Sequence, residues 1–110
     1  MDMTDFCIVQ TTTDDGVKAD EIAAALVAER LAACVQIASV VSHYFWKGAP
    51  ERAQEFLLSI KAHRDDFEAV AAKIRELHDY DLPEIVALPI ISADPAYLDW
   101  MAEATEKDDD

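Results

Sequence analysis

The sequence has little glycine, little positive charge and no long apolar segment, and each shortage argues against a class of protein. Only two of its 110 residues are glycine, so long irregular loops are not expected. Nine basic side chains stand against 23 acidic ones, for a net charge of -14, and such a surface repels the phosphates of nucleic acid. No apolar run reaches the roughly 18 residues of a membrane helix, and no basic region precedes an apolar one at the N-terminus. We therefore expect a soluble protein with no signal peptide, no membrane span and no nucleic-acid partner.

Cysteine is also scarce, with Cys7 and Cys34 as its only two examples. They form no C-x-x-C pair, which argues against a zinc site. Both lie in apolar surroundings, where buried free thiols are the default. Thiols without a disulfide framework fit a reducing compartment, so we expect a cytoplasmic protein.

Apolar and acidic side chains are what the chain has in quantity. Hydrophobic residues make up 52% of the sequence, which is enough for a core and too many for a disordered chain. The length predicts a single domain over residues 1–110. The acidic end, from about residue 104 to residue 110, is predicted to be a disordered, solvated tail.

Hydrophobic periodicity predicts four strands and three helices. Apolar residues at spacings of three and four mark the helices, and β-branched or aromatic runs mark the strands. The predicted elements are, in order, a strand at Phe6–Thr11, a helix at about 16–32, strands at Val35–Trp46 and about Arg52–His63, a helix at about Phe67–His78, a strand at Ile85–Ile91 and a helix from Asp94-Pro95. This order is typical of an α+β fold with a ferredoxin-like βαββαβ antiparallel sheet and an extra C-terminal helix. Pro89 places the fourth strand at a sheet edge or at a bulge.

The second and third predicted strands form a hairpin that is long for a domain of this size. About 12 residues at 3.3 Å each span roughly 40 Å, whereas a domain of this length has a diameter of about 35 Å. The hairpin should therefore project, and its aromatic side chains should pack on neighbouring subunits. Its apolar alternation slips near Ser39, which indicates either a β-bulge or a strand covered on both faces.

The densest collection of chemically active side chains lies in the stretch Leu77–Ile85, between a predicted helix and a predicted strand. It holds an imidazole, a phenol and three carboxylates, namely His78, Tyr80, Asp79, Asp81 and Glu84. Imidazole and carboxylate together can bind a transition metal or move a proton, so His78 with Glu84 or a neighbouring aspartate is a candidate site for Cu(II) or another divalent metal ion. The alternative is that His78 only ends the helix, where a cation suits the helix dipole, and that Pro83 breaks it.

Other side chains are candidates for a pocket or an interface. They are four aromatic residues and two charged ones, namely Tyr44, Trp46, Tyr80, Trp100, Glu55 and Lys61. The aromatic residues can line a small-molecule cleft or pack in a core or a subunit interface, and the two charges can pair beside that cleft. Cys34 is a further candidate metal ligand, with a structural thiol as the alternative. No nucleophile and base stand at a recognised spacing, so we expect no enzymatic activity, and the chain lacks a glycine-rich loop for a nucleotide.

Six ordered motifs extend from about residue 6 to residue 102. They are Leu31–Val35 (LAACV), Ser42–Gly48 (SHYFWKG), Glu55 followed by Leu58, Ile60 and Lys61, Leu77–Ile85 (LHDYDLPEI), Pro89-Ile90, and Tyr97-Leu98 with Trp100. Together these motifs resemble the CutA divalent-cation tolerance family.

The resemblance implies a ferredoxin-like fold, a homotrimer designed like the PII signalling proteins, a cytoplasmic location and no established enzymatic activity. It also implies a role in tolerance of divalent metals, with copper as the usual metal. His78 matches the family histidine before the tyrosine-containing loop, which is the metal ligand that the resemblance implies, and Cys34 matches the cysteine of the LAAC segment. Thr11, Leu77 and Asp79 depart from some members, which carry a cysteine, a second histidine and a proline at these places.

Three functions stay open at this point. The first is a metal-response homotrimer that binds divalent ions through His78 and nearby carboxylates. The second is a PII-like sensor of a small metabolite. The third is a stable trimeric scaffold for another protein.

Overall fold

A computed structural model describes residues 3–107. The elements in this part are, in chain order, β1 (Phe6–Thr13), α1 (Gly16–Ala28), β2 (Cys34–Trp46), β3 (Ala49–His63), a 3-10 turn (Arg64–Asp66), α2 (Phe67–Leu77), β4 (Val86–Pro89) and α3 (Pro95–Ala104). The order of the predicted strands and helices is therefore confirmed. No helix within residues 3–107 has the length and hydrophobicity needed to cross a bilayer.

The four strands make one sheet in the order β2-β3-β1-β4, and every neighbouring pair is antiparallel. In the inner strand β1, Val9 lies opposite Ile60 of β3 on one side and Ala87 of β4 on the other. The predicted α+β fold with an antiparallel sheet is confirmed. The strand that contains Pro89 lies at an edge of the sheet, where a missing backbone donor does least harm.

One face of the sheet is covered by α1 and α2. Val9, Leu58 and Ile60 alternate along their strands so that they point to this face, and all three are fully buried. They pack with Ile22 of α1 and Ile74 of α2 in the main hydrophobic core. The opposite face of the sheet is left to α3 and to solvent in the single chain.

Helix α3 closes a smaller core at the end of the sheet. Asp94 caps the helix by accepting the N–H of Ala96 at 3.1 Å, and Pro95 follows in the first turn, where its missing N–H costs nothing. Met101 is fully buried against Phe6 in this second cluster. The predicted cap and start of the last helix are therefore confirmed.

The chain stays folded for several residues beyond α3. Thr105 Oγ1 donates to Met101 O at 2.8 Å, and Lys107 Nζ donates to Arg30 O at 2.8 Å. These bonds show that the predicted disordered tail begins too early. The acidic composition on which that prediction rested gives no sign of them. The rest of that predicted tail, residues 108–110, lies outside the described residues.

Helix α1 ends at Ala28 rather than near residue 32. Arg30 has a φ of 58°, the left-handed conformation that glycine usually supplies after a helix. Its N–H donates to Val27 O at 3.1 Å, and the N–H of Leu31 donates to Leu26 O at 3.0 Å. These two bonds form a Schellman motif. The prediction ran past the end of the helix because Leu31 continues the apolar pattern into the core after the helix has stopped.

The hairpin between β2 and β3 closes with only two turn residues. Lys47 and Gly48 both have positive φ, 50° and 83°, which is the geometry of a type I′ turn. Trp46 and Ala49 therefore already face each other as strand partners. β3 consequently begins earlier than the predicted Arg52, because a type I′ turn needs no further residues.

The long hairpin contains no β-bulge. Its register is continuous, and Ser39 lies directly opposite Phe56. The other alternative, a strand covered on both faces, is not met within one chain either. Phe45 is 73% exposed on one face and Tyr44 is 45% exposed on the other. The hairpin thus reaches outward, in a molecule whose longest dimension is 46 Å, with uncovered apolar side chains on both faces.

Candidate functional site

The end of β1 opens a cleft beside the hairpin. β1 stops at Thr13 opposite Phe56, so the Ala49–Glu55 part of β3 pairs with β2 alone. The stretch that follows α2 crosses the sheet at this place, because its His78 and Tyr80 side chains bond to β1 and β3 respectively. The stretch on which the sequence concentrates its chemistry therefore lies against the end of an inner strand.

Both nitrogens of the His78 ring are bonded, one to β1 and one within the stretch itself. The side chain is completely buried. Its Nδ1 accepts the backbone N–H of Tyr80 at 3.1 Å, and its Nε2 lies 2.6 Å from the carbonyl oxygen of Thr12. Since a backbone N–H can only donate and a carbonyl can only accept, the neutral ring carries its proton on Nε2. Neither ring nitrogen is therefore free for another partner in this arrangement.

The remaining predicted metal ligands do not gather around His78 in one chain. Asp79 comes nearest, with Oδ1 3.7 Å from His78 Nδ1, whereas Glu84 is exposed. Cys34 lies on β2 opposite Lys61, half-buried and unpaired. Within residues 3–107 no three histidine, cysteine or acidic side chains stand close enough to share one metal ion. A tetrahedral metal needs about four donors, so the donors of one chain do not fit a complete metal site.

Tyr80 contacts both His78 and Glu55 of β3. Its hydroxyl donates to Glu55 Oε2 at 2.8 Å, and its ring stacks at a tilt against the His78 ring, with 4.5 Å between centroids. Glu55 is only 8% exposed. Burial raises the pKa of Tyr80 well above its ordinary range, and the hydrogen bond and the negative charge of Glu55 act in the same direction. Tyr80 therefore stays protonated and remains a donor to the buried carboxylate.

A cavity of about 460 Å³ lies on the hairpin side of Glu55. It is lined by short stretches of β2 and β3 and by the turn after β1, namely Asp14, Ser39, Val40, Val41, Gln54, Glu55 and Phe56. This volume falls in the range of small-molecule sites, which is about 300–1,000 Å³. Its polar groups are carboxylate, amide and hydroxyl, so the cavity offers mainly acceptors.

Lys61 does not pair with Glu55, although both belong to the same strand face. Six residues of strand separate them by about 20 Å, which no side chain bridges. Lys61 Nζ instead donates to Gln36 Oε1 at 3.5 Å and to Tyr97 Oη at 3.3 Å. The Tyr97 ring in turn lies 5.3 Å from the ring of Trp100. Lys61 and Trp100 thus belong to a second group, beneath α3.

Tyr44 and Trp46 lie near the tip of the hairpin, away from both groups. Both are substantially exposed on the face opposite α1 and α2. Lys47 Nζ lies 5.8 Å from the centre of the Trp46 ring, which is a weak cation–π contact. Of the six predicted pocket or interface residues, the structure therefore joins only Glu55 with Tyr80 and Lys61 with the α3 aromatics.

Sequence reasoning missed most of the cavity lining. Glu55 is a candidate from the sequence, whereas Asp14 and Gln54 are not. The signal that locates them is the strand register, because residues just before Phe56 lose their partner when β1 stops at Thr13. That register follows from long-range pairing, which no local motif encodes.

Comparison with known proteins gives one consistent result. The family description of CutA1 divalent ion tolerance proteins matches residues 7–104. The divalent-cation tolerance protein CutA of Thermus thermophilus is 43% identical over 99 residues, which cover 89% of this chain and 96% of that protein. Protein CutA of Mus musculus is 42% identical over 80% of this chain, and the chain spans 50% of the mouse protein.

A solved structure extends the likeness to three dimensions. The divalent cation tolerance protein CutA of Archaeoglobus fulgidus, described as periplasmic, superposes with a TM-score of 0.90 at 33% identity. The superposition covers 92% of this chain and 99% of that one. Both the sequence and the fold are therefore shared along nearly the whole chain.

Proposed function

Because the chain belongs to the CutA1 divalent ion tolerance family, we propose that it acts in tolerance of divalent cations as a homotrimer of ferredoxin-like subunits. The strand order β2-β3-β1-β4, with α1 and α2 on one face, is the arrangement that two split βαβ units produce, and it supports the ferredoxin-like part. The oligomeric part needs separate support, which comes from the hairpin.

The observation that supports an oligomer is the uncovered hairpin, whereas the number of three subunits rests on the resemblance to the CutA family. β2 is an edge strand of 13 residues whose outer backbone groups have no partner strand within residues 3–107. Its large apolar side chains are exposed, namely Ile37, Val41, Tyr44, Phe45 and Trp46. A long edge with such side chains pairs or aggregates unless another chain covers it. Association with further copies of the chain would cover it.

Sedimentation equilibrium tests the trimer directly. We expect a mass three times the 12.2 kDa of one chain. The double substitution Tyr44→Ser with Trp46→Ser should lower that mass at micromolar concentration. Val27→Ser is the matched control, because it removes an exposed apolar side chain from α1 instead of the hairpin. A monomeric wild type, or an equal loss in the control, would contradict the proposal.

The metal part of the proposal concerns Cu(II) or another divalent ion at His78, with Glu84 and Cys34 as the further ligands expected from the sequence. Since one chain lacks a complete donor set, such a site requires donors from more than one subunit. Binding at His78 Nδ1 also requires the ring to release the Tyr80 N–H. Copper binding is tested by competition with a chelator, in the wild type and in His78→Ala.

Two further parts of the proposal are a cytoplasmic location and the absence of enzymatic activity. The free thiols of Cys7 and Cys34 are what supports the reducing location. Fractionation of the native cells with a specific antibody tests it. Recovery of the protein outside the cytoplasm, or turnover of a substrate by the purified protein, would overturn the corresponding part.

A second candidate function is a PII-like sensor of a small metabolite, and the cavity favours it. A volume of about 460 Å³ beside the buried carboxylate of Glu55 is more space than a metal ion requires. The lining combines apolar walls with a few polar groups, which is typical of sites for small molecules. The test is saturable binding of a small molecule to the purified protein, with one site per chain.

A further inference from the structure

Three oxygen atoms from distant parts of the chain converge on the ammonium group of Lys107. Its Nζ donates to Arg30 O at 2.8 Å, to Thr105 O at 2.7 Å and to Asp66 Oδ2 at 3.0 Å. Since an ammonium group has three donors, all of them are used. We call these three acceptors the oxygen cage. The cage thus holds a cation, and that cation belongs to the chain itself.

The ends of three helices meet at the oxygen cage. Arg30 follows α1 in a left-handed conformation, and Thr105 is the C-cap of α3. The last carbonyls of a helix lack donors within the helix, and together they act as about half a negative elementary charge. Asp66 adds a full negative charge, because its side chain makes no capping bond to α2. The cage therefore attracts a cation of higher charge than one ammonium group.

Arg30 holds two of these helix ends together without entering the cage. Its Nη1 lies 3.5 Å from Glu103 O and 3.4 Å from Glu106 O, which are carbonyl oxygens other than those of the cage. The guanidinium thereby keeps the end of α3 beside the end of α1. Arg30 is thus a positioning residue, since its main chain supplies one cage oxygen and its side chain steadies the segment that supplies another.

Lys107 fills the cage as a removable group. Its side chain is 45% exposed and that of Asp66 is 24% exposed, and ion pairs open to solvent contribute little stability. Lys107 also lies only two residues beyond Thr105, so its departure releases a short end of the chain and no helix or strand. A free cation can therefore compete with Lys107 for the same oxygens while the fold stays intact.

The donor atoms decide which kind of cation competes best. Two are main-chain carbonyl oxygens and one is a carboxylate oxygen, and hard cations prefer such donors. Ca²⁺ accepts carbonyls and carboxylates in flexible geometry and completes its shell with water, whereas Mg²⁺ gives up its own water reluctantly. The oxygen cage thus differs in chemistry from the imidazole site considered at His78, which suits Cu(II) or Zn(II).

We propose that the oxygen cage is a site for a hard divalent cation of the Ca²⁺ type, and that Lys107 is its built-in competitor. Binding of the ion frees the Lys107 side chain, and loss of the ion lets Lys107 return. The attachment of the C-terminal end to α1 and α2 then depends on the concentration of the ion. This proposal uses neither His78 nor the hairpin, so it goes beyond the function proposed above.

Titration with CaCl₂, followed by NMR of the backbone amides, tests this site separately from the rest of the acidic surface. The amide of Leu31 shares a peptide unit with Arg30 O, and the amide of Glu106 shares one with Thr105 O. Both amides therefore report a bond between the ion and the neighbouring carbonyl. In the intact protein at about 0.15 M KCl, we expect both signals to shift along one saturating curve with a common midpoint.

Variants of the cage separate competition by Lys107 from a general effect of charge. Lys107→Met keeps the aliphatic stem and should lower the midpoint at least about tenfold, because a competitor and a like charge are both removed. Asp66→Asn, added to Lys107→Met, should raise the midpoint again at least about tenfold, because the charged ligand is lost. Arg75→Met is the matched control: it removes an exposed positive charge from the last turn of α2 and should change the midpoint less than about twofold.

Several results would overturn the proposal. Equal midpoints in Lys107→Met and Arg75→Met, or equal shifts with Mg²⁺ in place of Ca²⁺, would mean an adventitious ion only, drawn by the net charge. Unrelated midpoints at Leu31 and Glu106 would mean that the two carbonyls do not share one ion. If Lys107→Met loosens the end of α3, the Leu31 amide, which donates to Leu26 O, still reports on the cage, and an unmoved Leu31 signal then overturns the proposal as well.

Discussion

Replacing His78 with alanine removes the side chain that ties the stretch after α2 to the end of β1. The substitution deletes the Nε2 bond to Thr12 O, 2.6 Å long, and the acceptor of the Tyr80 N–H, 3.1 Å away. The first bond joins the stretch to β1, and the second fixes the backbone within the stretch. Because the side chain is fully buried, water does not replace either bond without a rearrangement.

The expected loss of stability is about 2–6 kcal/mol per chain. A buried backbone group left without a partner costs about 1–3 kcal/mol, and two such groups remain, on Thr12 and on Tyr80. The lost contact between the His78 and Tyr80 rings adds to this. His63→Ala is the matched control. The His63 ring is 33% exposed, accepts the N–H of Asp65 in an exposed turn and contacts the Phe6 ring edge-on, so we expect a smaller loss there, of about 1 kcal/mol.

Urea unfolding measures both losses, at one fixed protein concentration because an oligomer gains apparent stability with concentration. A chelator is present throughout, so that metal binding does not contribute. A loss below about 1 kcal/mol in His78→Ala, equal to that of His63→Ala, would refute the claim that His78 acts as a structural tie. An unchanged tyrosine environment near Glu55 in the variant would refute the chain of contacts that starts at His78.

Three further predictions follow from single buried groups. Because the pKa of Tyr80 is raised on folding, its contribution to stability is complete below the unfolded tyrosine value of about pH 10 and falls as the pH rises above it. The fall in Tm between pH 8 and pH 11 should therefore be smaller in Tyr80→Phe than in the wild type. An equal fall in both proteins would contradict the assignment. Burial raises the pKa of the Cys7 thiol, and the charge of Arg64 opposes this more weakly. Iodoacetamide at pH 8, followed by peptide mass spectrometry, should therefore label half-buried Cys34 before Cys7. The reverse order would show that Cys7 is accessible. Thr11 Oγ1 is buried without a partner within the described residues, so Thr11→Val should stabilise the chain by about 1 kcal/mol in urea unfolding, whereas Thr11→Ser should not; destabilisation by valine would reveal an unseen partner of the hydroxyl.

Most of the fold could be predicted because its signals are local. The alternation of Leu58 and Ile60 along β3 and the helical spacing of Val70 and Ile74 in α2 are visible in the sequence, and they mark the residues that become the core. Pro89 indicated either an edge strand or a bulge, and β4 lies at an edge. The end of α1 could not be predicted, since Arg30 adopts a left-handed backbone that its residue type does not announce.

The candidate site could be predicted only in part, because its contacts are distant in sequence. Tyr80 and Glu55 are 25 positions apart, and His78 and Thr12 are 66 apart. The stretch Leu77–Ile85 was identified from its chemistry, but the partners of its side chains depend on where β1 stops along β3. Lys61 and Glu55 do not pair although they share a strand face, because six residues of β3 separate them.

A copper titration tests the central claim, a role in tolerance of divalent cations, most directly. Cu(II) is titrated against the wild type, His78→Ala and the control His63→Ala with a competing chelator, and bound metal is measured per chain. The account predicts a saturable stoichiometry near one ion per chain in the wild type and the control, and loss of that site in His78→Ala. Equal, weak binding of many ions to all three proteins would contradict it. The metal would then only decorate an acidic surface with a net charge of -14, and His78 would be structural alone.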